Sequence, residues 1–135
     1  MAEEVVFVER LDVSVMFRRV ADEPDAISCG IAEVEEVVGL RGRKYFGAFD
    51  ADGNEYRVCV QLRDGDDPEA LGLEVGTLPG GRYARVRLTG EPPAVYSLIG
   101  PTFKRLSARP DRDRSRPGIE FYRRRDVIDL LLPVV

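Results

Sequence analysis

The chain has 135 residues, 44% hydrophobic and 33% charged, a composition that supports one folded domain and excludes disorder along the whole length. Its 20 basic and 24 acidic residues leave a net charge of -4, which argues against general affinity for nucleic acid or anionic membranes. The sequence contains no histidine, which excludes Ser-His-Asp and Cys-His catalysis and removes the commonest metal ligand.

Two strands and a helix are predicted at the start of the chain. Residues 5–10 (VVFVER) and 13–20 (VSVMFRRV) are rich in β-branched and aromatic residues, which favours two strands or one bent strand. Four aliphatic residues then recur at helical spacing, and Gly39 can close that helix in the left-handed conformation. These four residues are Ile27, Ile31, Val34 and Val38.

A β-hairpin is predicted next. Residues 44–50 (KYFGAFD) and 55–62 (EYRVCVQL) flank residues 51–54, where the Asp-Gly pair favours a tight turn. Side chains alternate along a strand, so the second arm is expected to turn its apolar set toward the helices. That set is Tyr56, Val58, Val60 and Leu62.

The same order of elements recurs in the second half of the chain. The segments 71–81 and 82–90 resemble strands, and a stripe from Val95 to Leu106 has helical spacing. Pro101 interrupts this stripe, so the second helix is expected to be bent or to begin late. Strands 119–125 and 127–134 follow a polar loop.

This order predicts an α+β domain in which two pseudo-symmetric halves share one antiparallel sheet. We expect a single domain over residues 1–135, with halves at about 1–66 and 67–135, two helices on one face and a ligand groove between the halves. Each half would contribute strands, one helix and a hairpin.

The other composition signals point to a cytoplasmic protein without a cofactor. Cys29 and Cys59 are too far apart for a CxxC motif and are expected to be free and reduced. No signal peptide, membrane-spanning stretch or phosphate-binding glycine motif is present, and no metal ligand set is indicated. Residues 104–126 carry nine basic and four acidic residues, so a basic stretch lies on an acidic body.

Three segments carry a resemblance to a known family. LPGGRYARVRL (78–88), IGPTFKRL (99–106) and RPGIEFYRRRDVIDLLLPV (116–134) resemble the GyrI-like domain, also called the AraC effector-binding or drug-sensing domain, in its stand-alone form. The resemblance implies a groove for small, often lipophilic and cationic molecules. The glutamate that faces the groove in this family corresponds to Glu120.

Strand alternation predicts the surroundings of Glu120. If the apolar residues of strands 82–88 and 119–125 cover the helices, Glu120, Tyr122 and Tyr83 face outward together. A carboxylate among aromatic rings suits a lipophilic cation. Arg85 and Arg57 are further candidate ligand contacts, and an ordinary solvated ion pair between Glu120 and such an arginine is the plain alternative.

Three functions are consistent with this pattern. The first is a small-molecule binding module. In it, Glu120 is the polar anchor, and the rings of Tyr83 and Tyr122 stack against the ligand. The second is a hydrolase of strained, cyclopropane-bearing electrophiles, with Glu120 as general base and Tyr83 or Tyr122 as hydrogen-bond donor or acid. The third is a protein–protein inhibitor of the gyrase type. The expected partner is a small molecule rather than nucleic acid or membrane, with a protein partner or a homodimer left open.

Overall fold

The computed structural model describes residues 4–50 and 53–135 and contains eight strands and three helical segments in those residues. The strands are β1 (Val5–Arg10), β2 (Val13–Ala21), β3 (Tyr45–Phe49), β4 (Glu55–Gln61), β5 (Glu74–Leu78), β6 (Gly81–Thr89), β7 (Gly118–Arg124) and β8 (Val127–Pro133). The helices are α1 (Pro24–Val38), α2 (Ala94–Ser97) and α3 (Ile99–Ser107). Ala51 and Asp52 of the predicted hairpin turn lie outside the described residues.

All eight strands form one antiparallel sheet in the order β1-β6-β8-β7-β3-β4-β2-β5. This order is symmetric. If β1, β2, β3 and β4 are exchanged with β5, β6, β7 and β8 respectively, the same order is obtained when it is read from the opposite edge. The two halves therefore meet at the sheet centre, where β3 pairs with β7. The predicted α+β class with a single antiparallel sheet is confirmed.

The helices cover one face of this sheet. Helix α1 packs on β2 and β4, and α3 packs on β8, each over its own apolar cluster. The second helical stripe is divided into α2 and α3 at Leu98, so Pro101 falls in the first turn of α3. A proline is tolerated there because the first-turn N–H groups have no partner within the helix. No helix in the described residues is long and apolar enough to span a membrane.

The reverse face of the sheet is also buried at its centre. A third apolar cluster lies there and includes the stacked rings of Phe46 and Phe121, whose centroids are 4.8 Å apart. The link from β1 to β2 contacts the link from β5 to β6, where the Gly80 N–H donates to the Asp12 carboxylate. A Cβ at Gly80 would lie 2.5 Å from the Arg10 carbonyl oxygen, so this contact requires glycine.

Candidate functional site

Glu120 lies on the helix-covered face of the sheet, not on the bare face that alternation predicted. In β7, Ile119 and Phe121 enter the apolar cluster of the reverse face, while Glu120 and Tyr122 share the opposite face with Tyr56 of β4. The assumption that apolar residues of β7 face the helices is wrong because this central strand is covered on both sides. Its alternation therefore does not identify the helix side.

A groove of about 930 Å³ opens between α1 and the α2–α3 unit, with Glu120 and Tyr122 among its lining residues. Its walls are mostly aliphatic and aromatic side chains from both halves of the chain. They include Ile27, Ile31, Tyr45, Phe49, Tyr96 and Phe103. This volume lies within the range of small-molecule pockets, about 300–1,000 Å³.

Two tyrosines hold the Glu120 carboxylate. The Tyr56 hydroxyl donates to Glu120 Oε1 at 2.7 Å, and the Tyr122 hydroxyl donates to the same oxygen at 2.8 Å. The two hydroxyl oxygens are 3.2 Å apart. Among the described residues, no side chain donates a hydrogen bond to Oε2 and no arginine or lysine forms an ion pair with Glu120. The carboxylate is thus oriented but not neutralised by the protein.

Gly47 makes this arrangement sterically possible. It is the direct partner of Glu120 in the β3–β7 ladder and lies beside Tyr56. A Cβ at this position would lie 1.6 Å from the Tyr56 hydroxyl oxygen and 2.3 Å from its Cζ. Only a residue without a side chain lets the Tyr56 ring cross β3 and reach Glu120.

Burial controls the protonation of the three groups. Glu120 is 8% exposed, and desolvation raises the pKa of its carboxyl group, although the hydrogen bonds from Tyr56 and Tyr122 oppose this shift. Desolvation, followed by the nearby Glu120 charge, also raises the pKa of both tyrosines. Both phenols therefore remain protonated donors at neutral pH, while Glu120 takes up a proton more readily than a solvent-exposed glutamate.

The other predicted site residues lie on the reverse face. Tyr83 is fully buried there, its hydroxyl donates to the Pro79 carbonyl oxygen, and the Arg116 guanidinium lies 4.9 Å from its ring centroid. Arg57 is on the reverse face of β4 and pairs with Asp50. Arg85 occupies the reverse face of β6. The prediction that these residues share a surface with Glu120 is wrong, because they alternate out of phase with it.

Tyr56 and Gly47 were not predicted to be site residues. The alternation of β4 correctly turned Tyr56 toward the helices, but it did not connect Tyr56 with Glu120. A glycine between Phe46 and Ala48 in a central strand was the available signal, because such a residue often marks a close approach by another group.

Comparisons with known proteins support the fold. No family model and no curated protein matches this sequence. Among solved structures, an integron cassette protein from the mobile metagenome of Vibrio cholerae aligns with a TM-score of 0.77 at 15% identity, over 97% of this chain and 95% of that one.

Two further similar structures have names that mention a domain or a ligand. The EcmrR C-terminal domain has a TM-score of 0.67 at 14% identity, over 100% of this chain and 99% of that one. The protein SAV2435, solved bound to tetraphenylphosphonium, has a TM-score of 0.61 at 12% identity, over 98% and 94% of the two chains. At these identities, the likeness establishes a shared architecture.

Proposed function

We propose that this chain is a small-molecule binding domain whose groove takes a lipophilic cation, with Glu120 as the polar anchor. The observation that carries the proposal is a buried carboxylate that has no cationic partner among the described residues and lines an apolar groove. A buried charge is costly unless it is paired, so a ligand cation would supply the missing partner. The similar structure solved with tetraphenylphosphonium, a lipophilic cation, supports this ligand class.

Each residue of the site has a distinct role in this proposal. Glu120 supplies the negative charge, with Oε2 available to the ligand. Tyr56 and Tyr122 fix the carboxylate through Oε1 and stabilise its ionised form. The aromatic walls contribute apolar contact and attract positive charge through their ring faces.

The size of the anchor's contribution follows from Coulomb's law. A unit charge at about 5 Å from the carboxylate, in a medium of effective dielectric constant of about 20, gains about 3 kcal/mol. Desolvation of both charges offsets part of this gain. We therefore expect Glu120→Gln to weaken cation binding by about 10- to 100-fold, at 1.4 kcal/mol for each factor of ten.

Calorimetric titration with matched tetraphenyl ions tests the proposal. Tetraphenylphosphonium is expected to bind the wild-type protein, and tetraphenylborate, which has the same shape and the opposite charge, is expected to bind at least tenfold more weakly. Glu120→Gln should remove this preference while leaving the fold intact by circular dichroism. Equal affinity for both ions, or an unchanged preference in Glu120→Gln, would refute the anchor role.

Hydrolysis is a second candidate function, favoured by one observation. Burial raises the pKa of Glu120, and Oε2 is free to accept a proton from water. A carboxylate of this kind can act as a general base toward a strained electrophile. Incubation with a cyclopropane-bearing alkylator should then yield ring-opened product faster than the Glu120→Gln protein does. Equal rates would exclude this function.

A further inference from the structure

The reverse face of the sheet carries an arginine cluster around a single carboxylate, in the part formed by β1, β6, β8 and β7. Asp129 of β8 is 2% exposed and accepts hydrogen bonds from Arg87 at 2.7 and 3.1 Å. Arg123 reaches the same carboxylate at 3.5 Å. Arg87 and Arg123 are 39% and 44% exposed, so the carboxylate lies beneath cationic groups that reach solvent.

A third arginine joins the cluster through an aromatic ring. The guanidinium carbons of Arg10 and Arg123 lie 5.6 and 5.5 Å from the centroid of Phe121. Phe46 also stacks on that ring, with 4.8 Å between the two ring centroids. Burial lowers the pKa of Arg10, the Asp129 charge opposes this shift, and the Arg123 charge adds to it. Arg10 and Arg123 therefore lie close enough to repel each other.

Among the described residues, the carboxylates in contact with this cluster carry less negative charge than its arginines carry positive charge. Asp129 is the single described carboxylate that forms an ion pair with Arg87 or Arg123, and Arg10 forms none with any described residue. The three arginines and one aspartate leave a local charge of +2. In addition, Arg85, two residues from Arg87 on the same face of β6, has a buried Nε without a hydrogen-bond partner in the described chain.

The other part of the sheet, formed by β3, β4, β2 and β5, is a useful internal comparison. Its reverse face also carries arginines, but Arg19 pairs with both Glu55 and Glu74, and Arg57 pairs with Asp50. In these ion pairs, three carboxylates contact two guanidinium groups. The excess of positive charge is thus specific to the part of the sheet formed by β1, β6, β8 and β7.

We propose that Arg10, Arg87 and Arg123 form a binding site for a dianionic phosphate group, either inorganic phosphate or a phosphate monoester. A charge of -2 matches the local excess, and guanidinium groups donate to tetrahedral oxyanions from several directions. Asp129 lies on the opposite side of the sheet from Glu120, whereas Arg123 borders both this cluster and the groove.

Calorimetric titration at constant ionic strength tests this site with three probes: inorganic phosphate, phenyl phosphate and dimethyl phosphate. At about pH 8 the first two are mostly dianions, whereas dimethyl phosphate, a diester, carries one negative charge. We expect saturable binding of both dianions and at least tenfold weaker binding of the diester. Binding of phenyl phosphate alone would identify a monoester site, and equal binding of both dianions a site for phosphate itself.

Three variants separate a specific site from general attraction. Arg10→Gln and Arg123→Gln should each weaken dianion binding about tenfold, the loss expected for one charge-assisted hydrogen bond. Arg18→Gln removes the same charge from the helix-covered face of β2, where Arg18 pairs with Glu33, and should change affinity less than twofold. Arg87 is not substituted, because it neutralises the buried Asp129. Melting temperatures in chloride buffer check that each variant is folded.

The outcomes decide the proposal. The proposal is overturned if neither dianion binds saturably, if the diester binds as tightly as the dianions, or if Arg18→Gln causes an equal loss. Arg10→Gln is the decisive variant, since Arg10 donates no hydrogen bond to the described protein whose loss could unfold it.

Discussion

Gly47→Ala should strongly destabilise the protein by displacing Tyr56. The added Cβ would lie 1.6 Å from the Tyr56 hydroxyl oxygen and 3.0 Å from its Cε2. Because Tyr56 is 2% exposed and packed in the core, the ring has little room to move without loss of apolar contacts. The hydroxyl group can then no longer donate to Glu120.

Two costs add in this variant. Overpacking a buried position costs about 1–3 kcal/mol. Loss of a hydrogen bond to a charged group costs about 1.5–3 kcal/mol. We expect the free energy of unfolding to fall by about 2.5–6 kcal/mol, a large part of the ~5–15 kcal/mol available to a domain.

Urea unfolding followed by circular dichroism at pH 7 measures this loss. Gly100→Ala is the matched control, because Gly100 lies in α3 with open space around its Cα. Alanine is the better helix former, so this control should be neutral or more stable by up to about 1 kcal/mol. If both glycine variants unfold within 1 kcal/mol of the wild type, Gly47 is not what admits Tyr56, and the description of the site is wrong.

Further predictions concern the three site groups and the reverse face. Tyr122→Phe should weaken tetraphenylphosphonium binding about tenfold, since one donor to the ionised carboxylate is lost; unchanged affinity by calorimetry would contradict this. Tyr83→Phe should leave cation affinity unchanged and lower the free energy of unfolding by about 0.5–1.5 kcal/mol through loss of the bond to Pro79, as urea unfolding can measure. The pKa of Glu120 is higher in the native state than in the unfolded chain, where it is about 4.5, so the unfolded chain loses this proton at lower pH. The free energy of unfolding therefore falls as the pH rises from 4.5 through the native pKa. Glu120→Gln should remove that slope, so its stability relative to wild type should increase from pH 4.5 to 8; a constant difference would refute the assignment.

Much of the architecture was predictable because its signals are local. The helical spacing of Ile27 to Val38 predicted α1, and the alternating segments in residues 44–62 and 119–134 predicted the β3–β4 and β7–β8 hairpins that the structure contains. Pro101 correctly marked a break in the second helical stripe, since proline is compatible only with the first turn of α3.

The side of the sheet on which Glu120 lies was not predictable from alternation. Ile119 and Phe121 have the apolar character expected of a helix-facing set, yet they fill the reverse face. A strand buried on both sides presents apolar residues in both directions, so its phase is fixed only by pairing with β3 and β8. The same ambiguity led to the wrong prediction that Tyr83 lies beside Glu120.

The protonation state of Glu120, followed by carbon-13 NMR of its side-chain carboxyl group, tests the central claim most directly. Without ligand, the carboxyl group should titrate above the ordinary pH range of a glutamate because it is desolvated. Saturating tetraphenylphosphonium should shift that titration to lower pH, since a cation beside the carboxylate stabilises the ionised form. A titration curve that is identical with and without the bound cation would show that the ligand does not meet this carboxylate.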